Sequence, residues 1–190
     1  MGKMTEIRWH GRGGQGTVTA AKVLAETAIT GGSYVQAFPE YGPERMGAPL
    51  RAFNRISDHE LSVHCQVTNP DVVVVVDSTL LKAVDITEGT DGKGLFLINS
   101  PEAAEKLKKE YSMEGKGVYT VNATKISLEC LGRPMPNTPL LGALARITDI
   151  IDIETLIDDV TRNFSKKFSS QIVNANIASI RKAYEEVTGE

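Results

Sequence analysis

Six residues near the amino end, Gly11-Arg12-Gly13-Gly14-Gln15-Gly16, place four glycines and two long polar side chains between an apolar strand and an Ala- and Val-rich stretch of helical period. Glycine lacks a Cβ and takes positive φ without strain, so such a turn lets backbone come close to a ligand or to another chain. A helix leaving the turn aims its first unbonded N–H groups back toward it, which suits an anion. Gly11, Gly13 and Gly16 also satisfy the dinucleotide spacing G-x-G-x-x-G. That reading wants an acid at the end of the second strand to hold a ribose, yet the strand ends Ala37-Phe38-Pro39 and Glu40 arrives beyond the proline. No Lys-Ser or Lys-Thr follows the glycines, which excludes a P-loop. A tight strand-to-helix crossover accounts for the glycines but not for Arg12 and Gln15, which belong at the exposed tip of the turn.

A second group follows the next strand: Tyr41-Gly42-Pro43-Glu44-Arg45-Met46-Gly47-Ala48-Pro49. Its glycines and prolines fix an irregular path that presents Glu44, Arg45 and Met46, and a rigid loop of this kind at a sheet edge makes contacts. A third, Asn137-Thr138-Pro139-Leu140-Leu141-Gly142-Ala143, offers Asn137 or Thr138 as helix caps. Asp77 ends an apolar strand, where it either acts in a site or caps the next turn. His10, His59 and His64 lack nucleophilic or metal-ligating neighbours, and a hydrogen-bonded structural imidazole is the expectation for His10. Cys65 and Cys130 stand far apart and match no zinc or iron–sulfur spacing.

These groups need a scaffold, and the pattern supplies one. Strand 5–10 is followed by a helix at 16–30 closed by Gly31-Gly32, and by a strand at 33–38. Residues 49–57 and 61–67, joined by Asp58-His59-Glu60, read as an antiparallel hairpin, because Leu61, Val63, Cys65 and Val67 alternate with polar residues. Five consecutive valines, Val72–Val76, suit a central parallel strand covered on both faces. A helix at 78–83, a strand at 94–99, a helix at 101–111 capped by Ser100, a strand at 117–122 and a helix at 123–132 repeat the alternation. After the Pro-rich connection 133–139 come two amphipathic helices, the first capped by Asp152 and carrying Ile153, Leu156, Ile157, Val160 and Phe164 on one face. The expected fold is α/β: one domain over residues 1–190, with a doubly wound, mostly parallel, Rossmann-like sheet, an inserted antiparallel hairpin and C-terminal helices. Both glycine-bearing loops then lie at the carboxyl edge of the sheet, where such folds bind ligands.

Composition sets the outer limits. A chain of 190 residues with 41% hydrophobic and 24% charged residues and a net charge of −3 gives no reason to expect a nucleic-acid partner. No run of about 18 apolar residues would span a bilayer, and Met1-Gly2-Lys3-Met4-Thr5-Glu6 has no signal-like core, so a cytoplasmic location is expected.

Taken together and in order, the Gly11–Gly16 turn, the Tyr41–Ala48 loop and the Asn137–Gly142 connection resemble the gamma subunit of 2-oxoacid:ferredoxin oxidoreductases, most closely those acting on pyruvate. The family often has a further glycine where this chain has Ala48. The resemblance implies an oxygen-sensitive complex that turns pyruvate, coenzyme A and oxidised ferredoxin into acetyl-CoA, carbon dioxide and reduced ferredoxin. It also implies that thiamine diphosphate, magnesium and iron–sulfur clusters sit on partner subunits and that ferredoxin is met indirectly. On this reading no residue here is catalytic or metal-binding. Gly11 to Gly16 with Arg45 are expected to meet coenzyme A or a subunit, and Tyr41, Gly42, Pro43, Glu44, Met46, Gly47, Asn137 and Thr138 to lie at an interface. A stand-alone NAD- or FAD-binding enzyme and a nucleotide-binding regulatory module are the alternatives.

Overall fold

A computed structural model describes residues 3–40, 47–63, 65–90, 92, 94–113 and 115–190. The chain begins with β1 (Met4–Arg12), α1 (Thr17–Thr30), β2 (Tyr34–Glu40), β3 (Pro49–Ser57) and β4 (Val72–Val75). A single 3-10 turn, Ser78–Lys82, leads toward β5 (Leu95–Asn99), α2 (Ala104–Glu110), β6 (Gly117–Val121) and α3 (Ala123–Leu131). It closes with α4 (Asn137–Ile147), α5 (Ile153–Phe164), α6 (Ser170–Glu186) and the two-residue β7 (Thr188–Gly189).

The seven strands of the described residues join one sheet in the order β2-β3-β1-β4-β5-β6-β7. Because β3 is antiparallel to both of its neighbours and β7 to β6, the other five strands point the same way. This is the α/β sheet with an antiparallel hairpin and C-terminal helices that the sequence implies. The hairpin, however, pairs β3 with β2, and the described residues of 61–67 form no strand. β1 and β2 already occupy both edges of β3, leaving no donors or acceptors for a third partner. Of the alternating set only Val67 is buried, while Cys65 is exposed.

The valine run serves both faces of the sheet. Val72, Val74 and Val76 join Trp9, Leu24, Ile126, Leu140, Leu156 and Ile180 in a core beneath α1 and α3 to α6. Val73 and Val75 pack with Phe96, Ile98 and Leu107 beneath α2 and the 3-10 turn. Along β1, Ile7 and Trp9 face the first core, and a buried chain of bonds fixes that strand: Trp9 Nε1 donates to Asn54 Oδ1 at 2.8 Å, and Asn54 Nδ2 to the Ala21 carbonyl at 2.8 Å.

Local signals set most boundaries. Asp152 caps α5 by accepting from the Thr155 amide at 2.9 Å, and Gly132 ends α3 in the left-handed region. Three expectations change. Ser100 accepts from the Glu102 amide at 3.1 Å within a turn, so α2 starts only at Ala104, with Ala103 as its N-cap. The helix expected at 78–83 is the 3-10 turn, and α4 starts inside the Pro-rich connection, at Asn137.

Candidate functional site

β1 continues through Gly11 and Arg12, so the turn proper is Gly13 to Gly16. Two of the glycines are demanded by space. A Cβ on Gly11 would lie 2.0 Å from Thr17 Oγ1, where α1 comes back against the strand, and one on Gly16, which sits at φ +76°, would meet the Asn137 side chain at 2.8 Å. No side chain caps α1, so its first amides face the turn.

Arg12 and Gln15 are not idle at the tip. Gln15 Oε1 accepts from the Arg12 amide at 2.8 Å, and its Nε2 donates to Asp77 Oδ2 at 2.6 Å. The Arg12 guanidinium pairs with the same carboxylate (Nε to Oδ2, 3.2 Å), donates from Nη2 to Thr79 Oγ1 at 3.0 Å and from Nη1 to the Gly47 carbonyl at 3.1 Å. Asp77 meanwhile caps the 3-10 turn, accepting from the Thr79 amide at 2.9 Å and its hydroxyl at 2.7 Å. Of the two roles open to Asp77, the structure shows the cap, and the same carboxylate ties Arg12 and Gln15 to it. Partial burial pushes its carboxyl up, but the Thr79 and Gln15 hydrogen bonds and the Arg12 charge outweigh this and hold it below the usual carboxylate range.

The glycine turn meets the end of the second loop, Gly47 and Ala48, and the start of the third, Asn137, here. Arg12 stands opposite Pro49 across the β1–β3 ladder, and the Gly13 amide donates to the Ala48 carbonyl at 3.1 Å. Tyr41, Gly42, Pro43, Glu44, Arg45 and Met46 lie outside the described residues. Asn137 and Thr138 do not cap α4. Pro136 holds the N-cap position without a side-chain bond, both residues are buried, and Asn137 packs against Gly16 with its Oδ1 lacking a hydrogen-bond partner among the described residues.

The topology also weakens the dinucleotide reading. In a doubly wound nucleotide fold the second strand lies beside the first, whereas β3 is inserted between β1 and β2 here and moves the end of β2 outward by one strand spacing, about 4.8 Å. Glu40, the last residue of β2, is held by Arg51 in a two-pronged pair at 2.7 and 3.1 Å. Pro39 fits within the strand because β2 is an edge.

His10 departs from expectation. It is 4% exposed, yet its Nε2 has no hydrogen-bond partner among the described residues. It faces away from Trp9, into a cavity of about 360 Å3 shared with Glu40, Arg51, Leu80 and Asp85. Burial, then the charges of Arg8 and Arg51, lowers its pKa to about 3, so the ring is neutral at pH 7. Arg8 is buried beside it and donates to the Ile86 and Glu88 carbonyls at 2.9 and 2.8 Å. Arg51 carried no signal in the sequence, because its role depends on strand register. Arg8 and His10 share a face of β1 through their period-two spacing alone.

With this geometry in view, the pyruvate ferredoxin/flavodoxin oxidoreductase family model matches residues 6–186. The chain belongs to that family. It is 49% identical over 97% of its length to pyruvate synthase subunit PorC of Thermotoga maritima, covering 95% of that protein. It is 43% identical over 96% of its length to the common gamma subunit of the pyruvate/ketoisovalerate oxidoreductases of Pyrococcus furiosus, covering 97% of it. The crystal structure of the Thermotoga maritima pyruvate oxidoreductase subunit PORC superposes with a TM-score of 0.87 at 44% identity, over 99% of both chains. The resemblance read from the three loops is borne out for family and subunit. Among the described residues no helix is long and apolar enough to cross a membrane.

Proposed function

We propose that the chain works as the gamma subunit of a pyruvate or 2-oxoacid:ferredoxin oxidoreductase, in a complex that converts pyruvate, coenzyme A and oxidised ferredoxin into acetyl-CoA, carbon dioxide and reduced ferredoxin. The observation that carries this is a likeness running nearly end to end, in both directions, to proteins named as subunits. Thiamine diphosphate, magnesium and the clusters belong to other subunits on this reading. Among the described residues no three His, Cys, Asp or Glu side chains gather to hold a metal, and Cys65 and Cys130 are free thiols on separate elements. The chain needs those partners to turn over.

Its own part is to present the Gly11–Gly16 turn, with Gly47 and the loop before it, to coenzyme A phosphates or to a partner carboxylate. The α1 amides and Arg12 supply positive potential there. Arg12 is already engaged by Asp77, so it acts by shaping the turn as well as by charge. Copurification is the first test: the native protein is expected to travel with thiamine- and cluster-bearing chains, and an active chain found alone would sink the assignment. In the assembled enzyme, Arg12→Ala and Arg45→Ala raise the apparent KM for coenzyme A if the turn meets that substrate, or weaken assembly if it meets a subunit. Unchanged kinetics together with unchanged assembly would remove both roles.

A further inference from the structure

A second surface is left unaccounted for by the glycine turn. Between the outer side of α1, the end of α3 and the α5–α6 connection lies a cavity of about 510 Å3. Val23, Met135, Phe164, Phe168 and Ile172 line it, and the Phe164 and Phe168 rings stack edge to face at 5.6 Å. Phe168 is 42% and Ile172 36% exposed, a cost in water that a monomer has little reason to carry.

The charge around this floor is one-sided. Lys22, Arg133, Lys166 and Lys167 stand on the rim against a single acid, Glu26. Lys22 pairs with Glu26 at 3.8 Å, while Arg133, Lys166 and Lys167 have no ion-pair partner among the described residues. A local excess of positive charge is notable in a chain of net charge −3.

The cavity also holds a polar group that asks for a donor. Asn137 is 94% buried, lines the cavity, and its Oδ1 has no partner among the described residues. An unmet buried acceptor of this kind costs about 1–3 kcal/mol, and a turn of the Asn137 amide toward an incoming peptide N–H would recover it.

We propose that this cavity is a docking site for an acidic segment of another subunit of the same complex, which seats an apolar side chain on Phe164, Phe168 and Ile172, faces its carboxylates to Lys166, Lys167 and Arg133, and gives a backbone N–H to Asn137. The proposal rests on the reading of the chain as a subunit. It adds a contact separate from the glycine turn, joined to it only through Asn137. The chemistry is that of an interface core with aromatic anchors inside a charged rim.

The test uses the assembled complex and the full chain alone. Amides of residues 163–172 are expected to exchange hydrogen at least tenfold more slowly in the complex than in the free chain. Lys166→Glu combined with Lys167→Glu is expected to weaken assembly at least tenfold, while the double arginine variant assembles normally and rising salt weakens the wild type. Both lysines are exposed, so folding of the free variants can be verified by circular dichroism. A complex that copurifies yet leaves 163–172 as open as in the free chain overturns this inference and leaves the subunit assignment standing. Equal weakening by Lys166→Glu/Lys167→Glu and by Phe168→Ala, with no salt dependence, overturns the acidic partner. Stabilisation of the free chain by octanoate, without protection in the complex, gives the cavity to a small organic anion instead and overturns it as well.

Discussion

Two regions meet at the contact of Gly16 with Asn137, and they treat polar groups in opposite ways. On the turn side, Arg12, Gln15, Asp77 and Thr79 bond to one another and to the Gly47 carbonyl, so the chain satisfies its own charges. On the cavity side, three cations lack acidic partners among the described residues and Asn137 Oδ1 accepts nothing. A closed network holds a shape in the free chain. An open one is finished by something else. The conspicuous glycine motif is thus largely a fixture of the fold, while the surface without a motif is the one with unmet demands.

If the turn is a fixture, filling it should cost the free chain most. Gly11→Ala brings a Cβ against Thr17 and is expected to lower stability by about 3 kcal/mol, read as a fall in urea midpoint at constant slope. Gly14→Ala meets nothing within 4 Å and bears only the strain of φ +94°, about 1 kcal/mol. Equal losses in the two variants would mean that α1 is not clamped against β1 as the geometry shows.

His10 supplies a test of the price of an unpartnered group on the same strand. Its folded pKa of about 3 lies below the unfolded value near 6.5, so the unfolded chain takes up a proton first. The stability it allows is intact above pH 6.5 and is lost as pH falls from there toward 3, by about 1.4 kcal/mol per pH unit at most. His10→Gln should flatten that slope in urea titrations between pH 6.5 and 4.5. An unchanged slope would show that the ring finds a partner in solution. Asp77 loses its share lower down, below the ordinary carboxylate pKa of 3.8, because its folded pKa is depressed. Asp77→Asn is expected to cost about 1–2 kcal/mol at pH 7 through the weakened cap and the lost Arg12 pair, and to remove that lower acid step.

What the sequence displays and what it hides follow from the range of each interaction. Gly11 to Gly16, the valine run and the caps Asp77 and Asp152 act over a few residues, so spacing alone places them. Residues 49–57 and 61–67 carry the same strand signal, and only the occupied edges of β3 decide between them. The Glu40–Arg51 pair, the Trp9–Asn54–Ala21 chain and the meeting of His10 with Glu40 and Arg51 at one cavity need the register of three strands. Asn137 looks like a cap in sequence, because Asn beside Pro starts helices. Its true surroundings, Gly16 on one side and the Phe164 cavity on the other, arise from packing across more than a hundred residues.

The smallest expected effect separates the two regions most cleanly. In the free chain Lys166→Glu with Lys167→Glu touches no ion pair among the described residues, so stability should stay within about 0.5 kcal/mol of the wild type. Arg12→Ala, by contrast, removes bonds to Thr79, Asp77 and Gly47 and should cost about 1–2 kcal/mol in the free chain before any partner is present. Measured side by side in urea, the two variants ask where each cation does its work. A lysine pair whose reversal unfolds the free chain would mean that the rim charges are satisfied internally after all, and the contrast between a closed turn and an open cavity would disappear.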